Sequence, residues 1–291
     1  MNKVLNIGIF GGDSRQVYMA KELLDLGHNI ASYGISEKIK HKNHVNAQTL
    51  NELFELSRLI IGPIPMSRDN ASIFSSKILS DMSIAHVAYL LSNKHILFSG
   101  NIPLPIIELC KKKKIPYFDF MENEKITIFN TIATAEGALM EAIRNSNINL
   151  HGSNCLVIGY GRCGKILASK LKALDTRITI TARSQEALSY ANAYGNNTIP
   201  ISDMKDKLSS YDYIFNTVPS LILDKKCLDL VKKEVLIIDI ASAPGGVDYD
   251  YANKLGINAK LCLGLPGKVA PKSSANQLVS EILKYMKEVI K

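Results

Sequence analysis

The stretch Cys155-Leu156-Val157-Ile158-Gly159-Tyr160-Gly161-Arg162-Cys163-Gly164-Lys165-Ile166-Leu167-Ala168-Ser169-Lys170-Leu171 decides the fold. Four apolar residues, Cys155 to Ile158, read as a buried parallel strand. The glycine-rich turn after them opens a helix whose Leu167, Leu171 and Leu174 share one face. Within it, Gly159-x-Gly161-x-x-Gly164 has the spacing of a dinucleotide fingerprint. The first glycine permits the tight turn and the second lets a pyrophosphate approach the backbone. The third allows close helix packing, with the diphosphate held at the positive helix end. Gly159, Tyr160, Gly161, Arg162, Cys163 and Gly164 are therefore candidate cofactor-binding residues.

Downstream the same pattern continues, with strands expected at Arg177 to Thr181, Asn197 to Pro200, Tyr213 to Phe215, Leu236 to Asp239 and Lys260 to Leu263. Upstream, Val4 to Phe10 reads as a strand and Ser14 to Leu26 as a helix ended by Gly27. Further strands are expected at Ile30 to Tyr33, Leu59 to Ile64, Ile96 to Ser99 and Ile115 to Phe118. The chain is thus expected to be α/β, with two Rossmann-like doubly wound parallel sheets. Residues 1–128 form a flavodoxin-like substrate domain of five strands, residues 129–150 a connector helix, and residues 151–270 a nucleotide-binding domain. A last helix, Ala275 to Ile290 within residues 271–291, packs back on the first domain. In open parallel sheets the ligand lies beyond the carboxyl ends of the strands, so function belongs in the loops there.

The end of the second strand of the nucleotide-binding domain selects the cofactor. An acid there would bond a ribose 2′-hydroxyl and repel a 2′-phosphate; this chain has Thr181-Ala182-Arg183-Ser184, with no acid before Glu186. A guanidinium and two hydroxyls suit a phosphate, so NADP(H) is preferred over NAD(H). Three later loops lie at the same sheet edge: Asn216-Thr217-Val218-Pro219-Ser220, Ala241 to Gly246, and Gly264 to Lys268. Asn216, Thr217, Val218, Pro219, Ala241 and Gly264 join the candidate cofactor set.

In the first domain, the turn Gly11-Gly12-Asp13-Ser14-Arg15-Gln16 does not have the dinucleotide spacing. Its polar side chains at a helix start suit an anionic substrate, with Arg15 as a carboxylate fork beside Asp13 and Gln16; Asp13 alternatively caps the helix. Thr131, Thr134 and Glu136, near the start of the connector helix, are further substrate candidates. His86 and His151 have no acid partner visible in the sequence.

Composition narrows the classes. Thirty-five basic against twenty-seven acidic residues give a net charge of +8, but the dense run Lys111 to Lys114 follows an apolar helix pattern, where a helix end favours cations. Without Trp, interleaved Arg and aromatic residues or zinc-finger spacing, no nucleic-acid partner is expected. Five scattered cysteines without a C-x-x-C pair support neither a disulfide framework nor a metal site. No apolar run reaches membrane-spanning length and no export signal is visible, so no membrane contact and a cytoplasmic location are expected.

Taken in order, Gly11 to Gln16, Thr134-Ala135-Glu136-Gly137, His151-Gly152-Ser153, Gly159 to Arg162, Asn216 to Ser220, Ala243-Pro244-Gly245-Gly246 and Gly264-Leu265-Pro266-Gly267-Lys268-Val269-Ala270-Pro271-Lys272 resemble the dipicolinate synthase A subunits of endospore-forming bacteria. The resemblance runs through nearly the whole chain. It implies oxidation of dihydrodipicolinate, or of its hydroxylated precursor, to dipicolinate in the mother cell, alongside a flavoprotein-like B subunit. Lys268 and Lys272 then become candidate partners for the carboxylates of a small dicarboxylate substrate. No catalytic acid or base stands out, and self-association is left open. A shikimate- or 2-hydroxyacid-dehydrogenase-type enzyme and a non-catalytic NADP-binding scaffold for the B subunit are the alternatives.

Overall fold

Six short parallel strands in each half of the chain carry the architecture. In the computed structural model, which describes residues 4–289, the chain divides into two units: residues 1–129 with 270–291, and residues 130–269. Met1 to Lys3, and Ile290 at the end of the expected final helix with Lys291, lie outside the described residues.

The first unit begins β1 (Asn6–Phe10), α1 (Ser14–Asp25), β2 (Asn29–Tyr33), β3 (His44–Asn46), α2 (Leu50–Leu56) and β4 (Leu59–Ile61). It continues through α3 (Ile84–Leu90), β5 (Ile96–Ser99), α4 (Leu104–Lys113) and β6 (Tyr117–Asp119). Its sheet has the order β3-β2-β1-β4-β5-β6. The five-stranded, flavodoxin-like expectation is corrected to six strands in Rossmann order. The strand it missed, β3, spans three residues at the sheet edge, and two of them, His44 and Asn46, are polar, so no apolar run announces it. The strand expected to reach Ile64 stops at Ile61, before Gly62-Pro63 and Pro65, because proline supplies no ladder donor.

Alternation along these strands fills both faces of the sheet. Ile7, Ile9, Leu59 and Ile61 enter one apolar cluster, and Phe10, Ile60 and Leu97 enter the other. The first cluster is closed by α1 and by α11 (Pro271–Val289) through Ala275, Leu278, Val279 and Ile282. Lys111, Lys112 and Lys113 lie in the last turn of α4, where cations offset the negative helix end.

α5 (Glu124–Arg144) starts five residues before the expected connector, in the first unit, and ends in the second. The second unit then runs β7 (Asn154–Ile158), α6 (Arg162–Ala173), β8 (Arg177–Ala182), α7 (Gln185–Ala193), β9 (Asn197–Pro200) and β10 (Tyr213–Asn216). It ends with α8 (Lys225–Leu228), β11 (Leu236–Asp239), α9 (Tyr249–Lys254), β12 (Asn258–Leu261) and α10 (Leu265–Val269). Its sheet, β12-β11-β10-β7-β8-β9, repeats the topology of the first. Cys155 and Val157 face one cluster while Leu156 and Ile158 face the other, and all four are fully buried. Truncating Val157 to Ala would leave a cavity costing about 1–3 kcal/mol. In each sheet the strand order reverses beside the first strand, between β1 and β4 and between β7 and β10. Such a switch point opens a crevice at the carboxyl strand ends.

Candidate functional site

At the switch point of the second unit, Gly159 leaves β7 with φ +92°, a conformation that favours glycine, and its N–H donates to the Thr181 carbonyl at 2.8 Å. A Cβ on Gly159 would strike Thr217 Oγ1 and Val218, and one on Gly164 would strike the Gly159 carbonyl. Around Gly161, by contrast, no atom lies within 4 Å of where a Cβ would stand. Gly161 is the N-cap of α6, yet it supplies no capping side chain, and the first turn carries no acid. The amides of Cys163 and Gly164 have no partner among the described residues. Uncapped amides, the positive end of a twelve-residue helix and open space above Gly161 form a receptor for an anion. These residues fit the diphosphate of a dinucleotide.

Tyr160 contributes backbone only, since its ring is buried against the core of the unit, and burial raises its pKa. Burial likewise pushes the Cys163 thiol up, so it stays protonated. Arg162 is exposed in the first turn of α6. Near the end of β8, Thr181 is buried and its hydroxyl has no partner among the described residues, whereas Arg183, just beyond the strand, is exposed and free of ion pairs among them. Ser184 accepts the Ala187 N–H at 3.3 Å as the N-cap of α7, so part of its hydroxyl's capacity serves the helix.

The loops after β10 and β11 are held by a residue that sequence reasoning had placed only as a strand end. Asp239 is fully buried: Oδ1 accepts from Asn216 Nδ2 and the Ala241 amide, both at 2.9 Å, and Oδ2 accepts from the Gly246 amide and the Tyr249 hydroxyl, both at 2.7 Å. Burial, with the Asp239 carboxylate alongside, drives the Tyr249 pKa far up, so that hydroxyl remains a donor. Asn216 also clasps Val218, donating to its carbonyl at 3.0 Å and accepting its N–H at 3.1 Å. Thr217 Oγ1 donates to the Ile158 carbonyl at 2.9 Å, which fixes that loop, with Pro219 exposed at its tip, beside Gly159. Four charge-assisted bonds to one carboxylate thus align two of the expected loops. An acid ending a strand six residues before a Gly-Gly pair was the available signal.

The corresponding turn of the first unit is closed. Gly11 again takes positive φ, and its N–H donates to the Tyr33 carbonyl at 3.0 Å, as Gly159 does to Thr181. The next amides are engaged internally: Gly12 to the Phe74 carbonyl at 2.7 Å, Asp13 to Gln16 Oε1 at 3.0 Å, Arg15 to Asp13 Oδ1 at 3.0 Å, and Gln16 to the Asp13 carbonyl at 3.1 Å. Asp13 and Gln16 form a capping box. Arg15, expected as a carboxylate fork, is only 4% exposed; its guanidinium bonds Asp13 at 2.9 and 2.8 Å and the Ile64 carbonyl at 2.5 Å. That expectation is corrected: Asp13 supplies the carboxylate, so Arg15 locks the turn instead of receiving a ligand.

The remaining candidates divide. Glu136 is exposed and pairs with Lys170 on α6 at 2.8 Å, and Thr134 donates to the Asn130 carbonyl one turn back, so both have protein partners. Thr131 is buried within α5. Lys268, on α10 in the second unit, and Lys272, on α11 in the first, are exposed, as is Gly264 before α10. Ala241 is buried and bonds Asp239. The two histidines do find partners: His86 lies 2.7 Å from Asn51 Oδ1 and 3.0 Å from the Asp81 carbonyl, and exposed His151 lies 3.6 Å from Asp175. Among the described residues no cluster of His, Cys, Asp or Glu fits a metal ion, and no helix is long and apolar enough to cross a membrane.

Comparison with known proteins finds a different family in each half. Residues 6–121 match the family of N-terminal domains of dipicolinate synthase A subunits, and residues 140–258 match the shikimate/quinate 5-dehydrogenase family, a dehydrogenase-type domain. The dipicolinate synthase A subunit of Bacillus subtilis (strain 168) is 30% identical, with 98% of this chain and 97% of that protein covered. The crystal structure of the corresponding protein from Bacillus halodurans superposes with a TM-score of 0.85 at 30% identity, covering 98% of this chain and 99% of the other. A transhydrogenase from Sinorhizobium meliloti, 15% identical, shares the fold with a TM-score of 0.67 over 96% of this chain and 94% of its own. Likeness that extends through both sheets at this level of identity places the chain in the family of dipicolinate synthase A subunits.

Proposed function

We propose that the chain is an NADP-dependent oxidoreductase subunit that converts dihydrodipicolinate, or its hydroxylated precursor, to dipicolinate in the mother-cell cytoplasm, working with a flavoprotein-like B subunit. The observation that carries this reading is the uncapped start of α6 beneath the open space at Gly161, in a domain where Arg183, and no acid before Glu186, follows β8. A bound oxidised nicotinamide dinucleotide would supply the hydride acceptor: loss of a hydride and a proton from dihydrodipicolinate leaves an aromatic pyridine ring, and the hydroxylated precursor must first lose water to reach that dihydro form. The chain's residues bind and orient. The amides of Cys163 and Gly164 hold the diphosphate, and Arg183 meets a 2′-phosphate with Thr181 and Ser184 nearby in sequence. The Asn216–Asp239 knot keeps the Val218 and Ala241 loops in place, which positions a substrate against the cofactor. Lys268 and Lys272 are exposed and free of ion pairs among the described residues, so each stays available to attract an anion. Aromatisation supplies driving force, so no strong acid or base is demanded of the chain.

Calorimetric titration with NADPH and NADH tests this. Arg183→Ala is expected to reduce the preference for NADPH about tenfold, the loss of one charge-assisted phosphate contact. An unchanged ratio removes the cofactor assignment. Turnover of shikimate without any turnover of dihydrodipicolinate transfers the chain to the shikimate-type reading. Coenzyme binding without any reduction of NADP+ by dihydrodipicolinate, with or without the B subunit, leaves a scaffold.

A further inference from the structure

The segment 62–83, between β4 and α3, fills the switch point of the first unit. It closes the glycine turn through Phe74 and Ser75: the Gly12 amide donates to the Phe74 carbonyl, the Ser76 amide donates to the Gly12 carbonyl at 3.0 Å, and Gly12 and Ser75 form an isolated parallel bridge. The same segment lines an open cavity of about 500 Å³, inside the range of small-ligand pockets, about 300–1,000 Å³. Its apolar wall includes Ile73, Phe74 and Met82, and two cations, Arg68 and Lys77, line it.

Neither cation is neutralised. The Arg68 guanidinium lies 4.0 Å from the centroid of the Phe74 ring, stacked on the cavity wall, and neither it nor Lys77 makes an ion pair among the described residues. The one acid in the lining, Asp69, makes no ion pair among the described residues, and its Oδ1 is turned to the donors of its own loop. The Ala71 and Ser72 amides at 2.9 and 2.8 Å and the Ser67 hydroxyl at 3.0 Å all reach Oδ1, and they hold the carboxyl well below the usual range. It knots the loop that carries Arg68 and leaves both cations available.

From this juxtaposition we infer that the cavity bounded by residues 68–83 is the carboxylate-recognition site of the first unit, and that it takes a small planar dicarboxylate. Arg68 and Lys77 meet the two carboxylates, and Phe74 and Ile73 meet the ring. The inference rests on the proposed function for the substrate's identity and assigns its recognition to residues that the sequence did not single out. It moves the anion site of this unit from the glycine turn, which Asp13 has closed, to the loop that closes it.

The test is a titration of the full chain with pyridine-2,6-dicarboxylate and with pyridine-2-carboxylate, run beside a titration with NADPH. The wild-type chain is expected to bind the dicarboxylate about tenfold more tightly than the monocarboxylate. Arg68→Ala and Lys77→Ala should each erase most of that difference, leaving NADPH affinity and melting temperature unchanged. Both substitutions fall on exposed loop residues, and Arg68→Lys, which keeps the charge but loses the planar stack, should give an intermediate affinity. Dicarboxylate affinity unchanged in both alanine variants overturns the inference. So does a wild-type chain that binds NADPH but no dicarboxylate, a result that leaves the cofactor reading standing. Failure to bind NADPH with dicarboxylate binding intact strikes the cofactor reading alone.

Discussion

The two glycine turns occupy equivalent places in two sheets of identical strand order, yet they have opposite electrostatics. At the N-cap of α1 stands Asp13, whose carboxylate and neighbours use the amides of the first turn and the guanidinium of Arg15. At the N-cap of α6 stands Gly161, which caps nothing. One unit therefore satisfies its helix start from within, and the other leaves it for a ligand. The fold alone does not make a nucleotide site; the choice of one N-cap residue, and what the loop after the fourth strand does, decides whether the crevice is open.

Converting one turn into the other should have the largest effect. Gly161→Asp places a carboxylate where the structure has free space and negative φ, so the variant should fold and gain about 0.5 kcal/mol from capping. Dinucleotide affinity should fall about 100-fold, because the new charge claims the amides and repels a diphosphate. Calorimetry alongside a melting curve checks both signs. The reverse change, Asp13→Ala, strands the buried Arg15 guanidinium and should cost about 2–3 kcal/mol of the first unit's stability, read by denaturant unfolding, with NADPH affinity unaltered.

A smaller effect tests the knot beside the open turn. Asp239→Asn keeps the size but cannot accept four donors, since one amide end would face the Gly246 and Tyr249 donors or the Ala241 and Asn216 ones. A loss of about 2 kcal/mol is expected, with weaker cofactor binding as the Val218 loop loosens. A melting temperature equal to wild type would show that the loops hold without it.

The smallest difference separates the units by pH. Burial lowers the pKa values of His28, His44 and His95, all in the first unit, below the ordinary value of 6.5. Their unfolded forms bind protons more readily than their native forms. Stability is therefore full above about pH 6.5 and declines as pH falls from there towards the lowered native values. The second unit has only the exposed His151. Limited proteolysis between pH 7 and 5 should accordingly open the first unit before the second; simultaneous opening would count against this.

How much of this was legible follows from what each signal measures. The open turn was readable because its glycines, the preceding apolar strand and the amphipathic helix are all local to residues 155–174. The closed turn was half readable. Asp13 with Gln16 three residues on is a capping-box pattern, but the Ile64 carbonyl that engages Arg15 and the Phe74 carbonyl that engages Gly12 come from a loop that is distant in sequence, 49 residues on in the case of Ile64. Without those partners Arg15 looked available. β3 was missed because it is an edge strand of three residues without an apolar run, and Asp239 because its bond to Asn216, 23 residues away, joins the ends of two different strands. Non-local hydrogen bonds set these outcomes, and sequence periodicity does not record them.

The most direct measurement is amide hydrogen exchange of the full chain with and without saturating NADPH. New protection is expected at Gly161 to Gly164, with none at Gly12, Asp13, Arg15 and Gln16, whose amides are already bonded. Protection appearing at Gly12 to Gln16 while Gly161 to Gly164 stays unchanged would contradict the account.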